Sequence, residues 1–272
     1  MHAKRWITGI IAFPLFVWLI FKGGTPMFAL LIAAASVVGM YEYQRIVLPV
    51  ENKTVNRLIT IFGLVLAPFM ILGAYLNLWP MIMGVLVFNL LFTALLSLPQ
   101  FKDTPAVVDT VVKQGLGFVY IPLLLSYLVL VHQSGAGALW IFFTICLVFA
   151  GDTGAFYSGS YLGKHKLCPA VSPNKTIEGA LGGMSATLLI AVIFKLLFFD
   201  KLDWGTLILF AILVSSAGQV GDLFESELKR AANVKDSGTL LPGHGGVLDR
   251  IDALLFAAPL VYYFKIFIFN AL

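Results

Sequence analysis

Asp222, Ser226 and Lys229 lie at i, i+4 and i+7, and Arg230 follows directly. On a helix these side chains share one stripe. A carboxylate and a hydroxyl are hard oxygen ligands of the kind Mg²⁺ takes, and Lys and Arg neutralise phosphate oxygens. Together they suit a metal–phosphate site. Downstream, Pro242-Gly243-His244-Gly245-Gly246 forms a glycine-rich turn that runs into Asp249-Arg250-Ile251-Asp252 at the start of an apolar segment. Glycines let backbone N–H groups crowd an anion, and a helix N-terminus adds partial positive charge. Asp249 and Asp252, three residues apart, can face the same way. Residues 221–252 hold six of the chain's fourteen acids, wedged between two hydrophobic runs. Charge at that density in an apolar setting is costly unless it does chemistry or lies in water.

A second polar cluster stands upstream. Gly151-Asp152-Thr153-Gly154 interrupts an apolar run, and an acid there faces a wet cavity or a partner such as Lys175 or Lys229. Ser172-Pro173-Asn174-Lys175-Thr176-Ile177-Glu178-Gly179 is expected to enter a helix, where Ser172, Lys175 and Thr176 would make an anion site.

These residues need elements that cross a membrane. Of the 272 residues, 60% are hydrophobic and 12% charged, with a mean hydropathy of +0.94. A soluble domain carries roughly 25% charged residues. Apolar runs near 20 residues must be helical in lipid, where backbone groups find no water. The expected fold is an all-α polytopic membrane protein with about nine spanning helices, near 6–21, 26–41, 58–77, 79–98, 112–132, 137–158, 176–199, 204–224 and 251–270. Gly23, Gly24 and Pro26 should break the first two apart. The run after Lys4 and Arg5 mimics a signal peptide, but no small-x-small site follows it, and it reads as a retained helix. Fourteen of the eighteen Lys and Arg fall on one side of this topology, which puts the N-terminus in the cytoplasm with the 159–175 and 225–250 loops. The net charge of +4 lacks a basic block and points away from nucleic acid. Cys146 and Cys168 have no metal-ligand spacing, and neither a disulfide nor a zinc site is favoured. Residues 1–134 read as a scaffold of about five helices, serving packing, a lipid groove or an oligomer contact such as a homodimer interface. Residues 135–272 read as the catalytic region. Glu42 and Arg45, near a helix end, read as a surface pair.

The run Ser226-x-Leu228-Lys229-Arg230-x4-Lys235-Asp236-x-Gly238-x2-Leu241-Pro242-x-His244-Gly245-Gly246-Val247-x-Asp249-Arg250-Ile251-Asp252 resembles the signature of the phosphatidate cytidylyltransferases (CDP-diacylglycerol synthases) of bacterial type. Ser172 to Gly179 is similar to that family's Ser-Pro-x-Lys-Thr-x-Glu-Gly element, with Ser160 and Ile177 standing where the family often has a basic and an aromatic residue. The resemblance implies a reaction of CTP with phosphatidate that gives CDP-diacylglycerol and pyrophosphate at the inner (plasma) membrane, among membrane lipids, with the active site facing the cytoplasm. The lipid phosphate is already an anion, so the difficulty is repulsion between two phosphates, which cations must screen. On this reading Asp222 and Asp249 bind Mg²⁺, supported by Asp252 and Ser226, with a second cation such as K⁺ as a further expectation. Lys229, Arg230, Lys235 and Arg250 hold phosphates, with Lys175 and Ser172 on the opposite wall. Asp152, Thr176, Asp236, His244, Gly245 and Gly246 complete the substrate contacts. Two alternatives are a CTP-dependent polyprenol kinase, which would release CDP, and an ion-coupled transporter built around Asp152. Asp249→Asn is expected to abolish turnover while the purified protein stays folded, as read by activity beside size-exclusion behaviour.

Overall fold

The computed structural model describes residues 14–48, 53–102, 107–238, 240 and 245–269. The chain forms two compact units, Met1–Gln133 with Ala232–Arg250 and Ser134–Ala231 with Ile251–Leu272. Among the described residues, eight helices are long and apolar enough to cross a membrane. The fold is therefore all-α and polytopic. Residues 6–13 of the expected 6–21 segment lie outside the described residues; from 14 to 22 the chain is helical and is called α1.

In the first unit, α2 (Gly24–Val47), α3 (Lys53–Tyr75) and α4 (Trp79–Ser97) are followed by α5 (Val107–Phe118) and α6 (Leu124–Gln133). The break before α2 is where the glycines place it: Gly24 has φ of 70°. A single π-turn, Val119–Leu123, joins α5 to α6 around Pro122, which has no amide hydrogen to give the helix ladder. The unit's interior is partly polar. Gln44 Nε2 donates to Gln114 Oε1 at 3.0 Å, Gln114 Nε2 donates to Asn89 Oδ1 at 3.3 Å, and Tyr43 Oη donates to the Lys113 carbonyl at 2.8 Å. Such bonds tie α2, α4 and α5 where packing against lipid supplies no hydrophobic drive.

The second unit holds α7 (Gly137–Leu162), α8 (Ile177–Phe198), α9 (Trp204–Ala231) and the part of α10 (Leu248–Tyr263) beyond Arg250. Between α7 and α8 the chain makes a short antiparallel hairpin, β1 (Lys166–Cys168) and β2 (Ser172–Thr176). Asp203 starts α9: its carboxylate accepts from Thr206 N at 2.8 Å and Thr206 Oγ1 at 3.1 Å, and these bonds hold its pKa below the ordinary value. α9 runs to Ala231, seven residues past the expected end. An (i, i+4) ion pair, Glu225–Lys229, supports the extension, and a helix needs no lipid to keep its own hydrogen bonds. One end of the unit is an aromatic cluster of Trp140, Phe143, Phe194 and Phe210. There Lys265 donates to Ser134 Oγ at 2.5 Å and to the Gly135 carbonyl.

Small residues let α7 and α8 touch. Thr187 Oγ1 of α8 donates to the Leu147 carbonyl of α7 at 3.2 Å, and Gly182 lies so close to Ser158 that no Cβ fits between them. Gly182→Ala should therefore lower the thermal midpoint in detergent, at a cost of about 1–3 kcal/mol from overpacking. Gly84→Ala, whose Cβ would meet nothing within 4 Å, should leave the midpoint unchanged or slightly raised.

Candidate active site

The second unit carries a cavity of about 580 Å³, a size typical of small-molecule sites. Its walls come from α7 (Asp152, Phe156, Ser160), from β2 (Asn174, Lys175) and from α9 (Gln219, Asp222). Gly151, Gly159 and Gly179 are on the wall where α7 and α8 meet: a Cβ at Gly151 would come to 2.9 Å from Thr187 Oγ1, and one at Gly179 to 2.9 Å from the Ala155 carbonyl.

Lys175 and Asp222 meet in the cavity, Nζ to Oδ2 at 2.7 Å, both partly exposed. Lys175 was expected at a helix N-terminus; it stands instead on β2, because the hairpin continues to Thr176 before α8 begins. Thr176 is the cap itself. Its Oγ1 accepts from Gly179 N at 3.1 Å, so it serves the start of α8, and the residue, 6% exposed, also borders the cavity. Ser172 opens β2 opposite Cys168 and is half-buried, and the lining residues named for the cavity do not include it.

The hairpin is held by Glu178. Its carboxylate accepts from Lys164 N at 3.0 Å and His165 N at 3.2 Å, and meets His165 Nδ1 at 2.6 Å. Arg230, at the end of α9, donates from Nε to the Val171 carbonyl at 3.3 Å and so braces the hairpin's turn.

On α9 the stripe of Asp222, Ser226 and Lys229 is helical throughout. Lys229 pairs with Glu225, which is 1% exposed. Asp252 of α10 lies within electrostatic range of Asp222, Asp152 and Lys229. α9 and α10 approach at Gly221, where a Cβ would meet the Asp252 carbonyl at 2.5 Å. Three carboxylates from three helices thus bear on one region, with Lys175 and Lys229 against them.

The other half of the signature belongs to the first unit. Asp249 accepts from Ser237 N at 3.1 Å and Gly246 N at 2.8 Å, and Gly245 makes the turn with φ of 81°. Lys235, Asp236 and Arg250 are exposed, and His244 lies outside the described residues. The amides at this turn were expected to face a substrate anion. Those of Gly246, Val247 and Leu248 donate instead to protein carboxylates, the last two to Glu42. Glu42 is accordingly not a surface pair with Arg45: it is 2% exposed.

Gln219 and Glu42 escaped sequence reasoning. Gln219 had a signal, a lone amide in an apolar run one turn before Asp222. Glu42 had none, because its partners are about 200 residues away in the chain.

A sequence profile described as the cytidylyltransferase family matches residues 3–268. The chain belongs to the cytidylyltransferase family. Among similar curated proteins of this family, the phosphatidate cytidylyltransferase of Bacillus subtilis is 34% identical over 266 residues, 96% of each chain. That of Staphylococcus haemolyticus is 34% identical over 274 residues, 94% of this chain and 96% of its own. That of Staphylococcus aureus strain COL is 33% identical over 269 residues, with the same two shares.

Glu178→Ala should free the hairpin. Amide exchange at Lys164 and His165 is expected to quicken roughly tenfold or more, while the α8 interior near Thr187 exchanges as before. Mass-spectrometric exchange on detergent-purified protein checks it.

Proposed function

We propose that this membrane enzyme transfers a cytidylyl group from CTP to phosphatidate, giving CDP-diacylglycerol and pyrophosphate. The observation that carries the reading is the Lys175–Asp222 pair inside a cavity of nucleotide size, close to Asp152 and Asp252. Curated relatives of matching length bear the corresponding name.

The chemistry asks for screening and alignment more than for a nucleophilic side chain. A phosphatidate oxygen attacks the α-phosphorus of CTP, the bond to the bridging oxygen breaks, and pyrophosphate leaves with the electron pair. Lys175 is placed to meet phosphate oxygens from β2, and Asn174 and Ser160 offer neutral hydrogen bonds on the same wall. Lys229 supplies positive charge from α9.

Among the described residues no three His, Cys, Asp or Glu side chains stand close enough to form a metal shell by themselves. Mg²⁺ in phosphate chemistry is commonly held by one or two carboxylates together with substrate oxygens, and Asp222 with Asp252 fits that donor set. Bound there, Mg²⁺ would neutralise charge on the phosphates and orient them for in-line displacement. Asp249 remains a proposed ligand on the signature alone. The Lys and Arg bias supports a cytoplasmic N-terminus and a cavity open to the cytoplasm of an inner (plasma) membrane, where CTP is available.

Purified protein given Mg²⁺, phosphatidate and CTP labelled at the α-phosphorus should produce a labelled lipid and free pyrophosphate. Asp222→Asn should lower kcat by roughly 100-fold with its thermal midpoint near wild type. Transfer of the γ-phosphate to a polyprenol with release of CDP would replace this reading with the kinase. Nucleotide-independent ion flux in liposomes, without a labelled lipid, would replace it with a transporter.

A further inference from the structure

Glu42 sits on α2, in the part of the chain that sequence assigns to scaffold, yet its carboxylate is the hub of the signature turn. Oε1 accepts from Val247 N at 3.1 Å, and Oε2 accepts from Leu248 N at 2.8 Å and from Ser237 Oγ at 3.2 Å. These are the first amides of α10, groups that no residue within the helix can satisfy, and a negative charge at that end complements the helix dipole. Ser237 passes the constraint on. Its Oγ accepts from Asp249 N at 3.3 Å, and its own N donates to the Asp249 carboxylate. Gly238 and Gly246 press against Glu42 so closely that neither has room for a Cβ. The signature's glycines at these two positions make way for a protein carboxylate.

We propose that Glu42 is a positioning residue for the reaction: it holds Ser237, Val247 and Leu248 together and, through Ser237, the Asp249 carboxylate in one arrangement. All of its named partners are donors, which explains an acid here. A glutamine would turn an NH₂ toward one of them and lose that bond. The buried charge is satisfied by three donors, so it is stable where a lone carboxylate would not be. The kinetic part of this role rests on the transfer reading given above; the structural part does not.

Hydrogen exchange on the full chain in detergent reads the clamp directly. In Glu42→Gln, exchange over 237–249 is expected to rise roughly tenfold or more, with α4 and α5 unchanged. In the same preparation kcat for CDP-diacylglycerol formation should fall about tenfold or more, with KM for CTP moving less than about threefold. Glu42→Asp, which keeps the carboxylate, should recover part of kcat. Unchanged exchange over 237–249 overturns the clamp, and faster exchange with wild-type kcat overturns the positioning role. If Glu42→Gln does not fold, Ser237→Ala removes the hydroxyl that joins Glu42 to the Asp249 amide, keeps the Ser237 amide bond to the Asp249 carboxylate, and carries the same expectations in smaller measure. A wild-type protein that forms no CDP-diacylglycerol sinks the transfer reading alone, and exchange still decides whether Glu42 holds the turn.

Discussion

A carboxylate inside an apolar bundle has to be answered by donors or by a cation, because water is not there to do it. That constraint shapes the polar part of this protein. Buried Glu42 is answered by two amides and a hydroxyl and buried Glu225 by Lys229; the more exposed Asp222 and Glu178 are paired as well, the first with Lys175 and the second with two amides and an imidazole. Each pairing joins pieces of chain that sequence alone leaves apart or ties one turn of a helix to the next. The acids are therefore structural as well as chemical, and the same charge that would serve a phosphate-transfer site also fixes the backbone around it.

The cavity in the second unit shows how this works with sterics. Glycine and alanine along α7 and α8 bring two backbones together, and Gly151, Gly159 and Gly179, where that approach is tight, also line the cavity. Aromatic packing around Trp140 and Phe143 fills the far end of the same helices. One pair of helices thus supplies a tightly packed end and an open one, and the polar side chains gather at the open end.

Much of this was legible. The hydropathy runs gave the spans because a helix in lipid has to be long, apolar and internally bonded, and the glycine break before α2 fell where backbone freedom placed it. Asp152 stood out because charge in an apolar run is rare, Lys175 and Asp222 because each falls in a polar stretch between such runs, and all three line one cavity. The hairpin was not legible: five residues with a proline at the second position carry a weak strand signal, and Ser-Pro followed by Asn also reads as a helix start. Thr176 lines the cavity and its hydroxyl also caps α8, a second role that calls for the same residue type at the same place. Glu42 was hidden for another reason. Its role depends on contacts across most of the chain, and periodicity reports only neighbours within a turn or two.

Lys175 and Asp222 neutralise each other across 2.7 Å in the cavity. An intruding anion that captured the ammonium would strand the carboxylate, and an intruding cation that captured the carboxylate would strand the ammonium. A visitor carrying both signs can swap partners with the two at once, leaving no charge orphaned. On the proposed function, Lys175 would turn to the phosphates and Asp222 to their cation, so one ion pair would be exchanged for two and neither charge left alone.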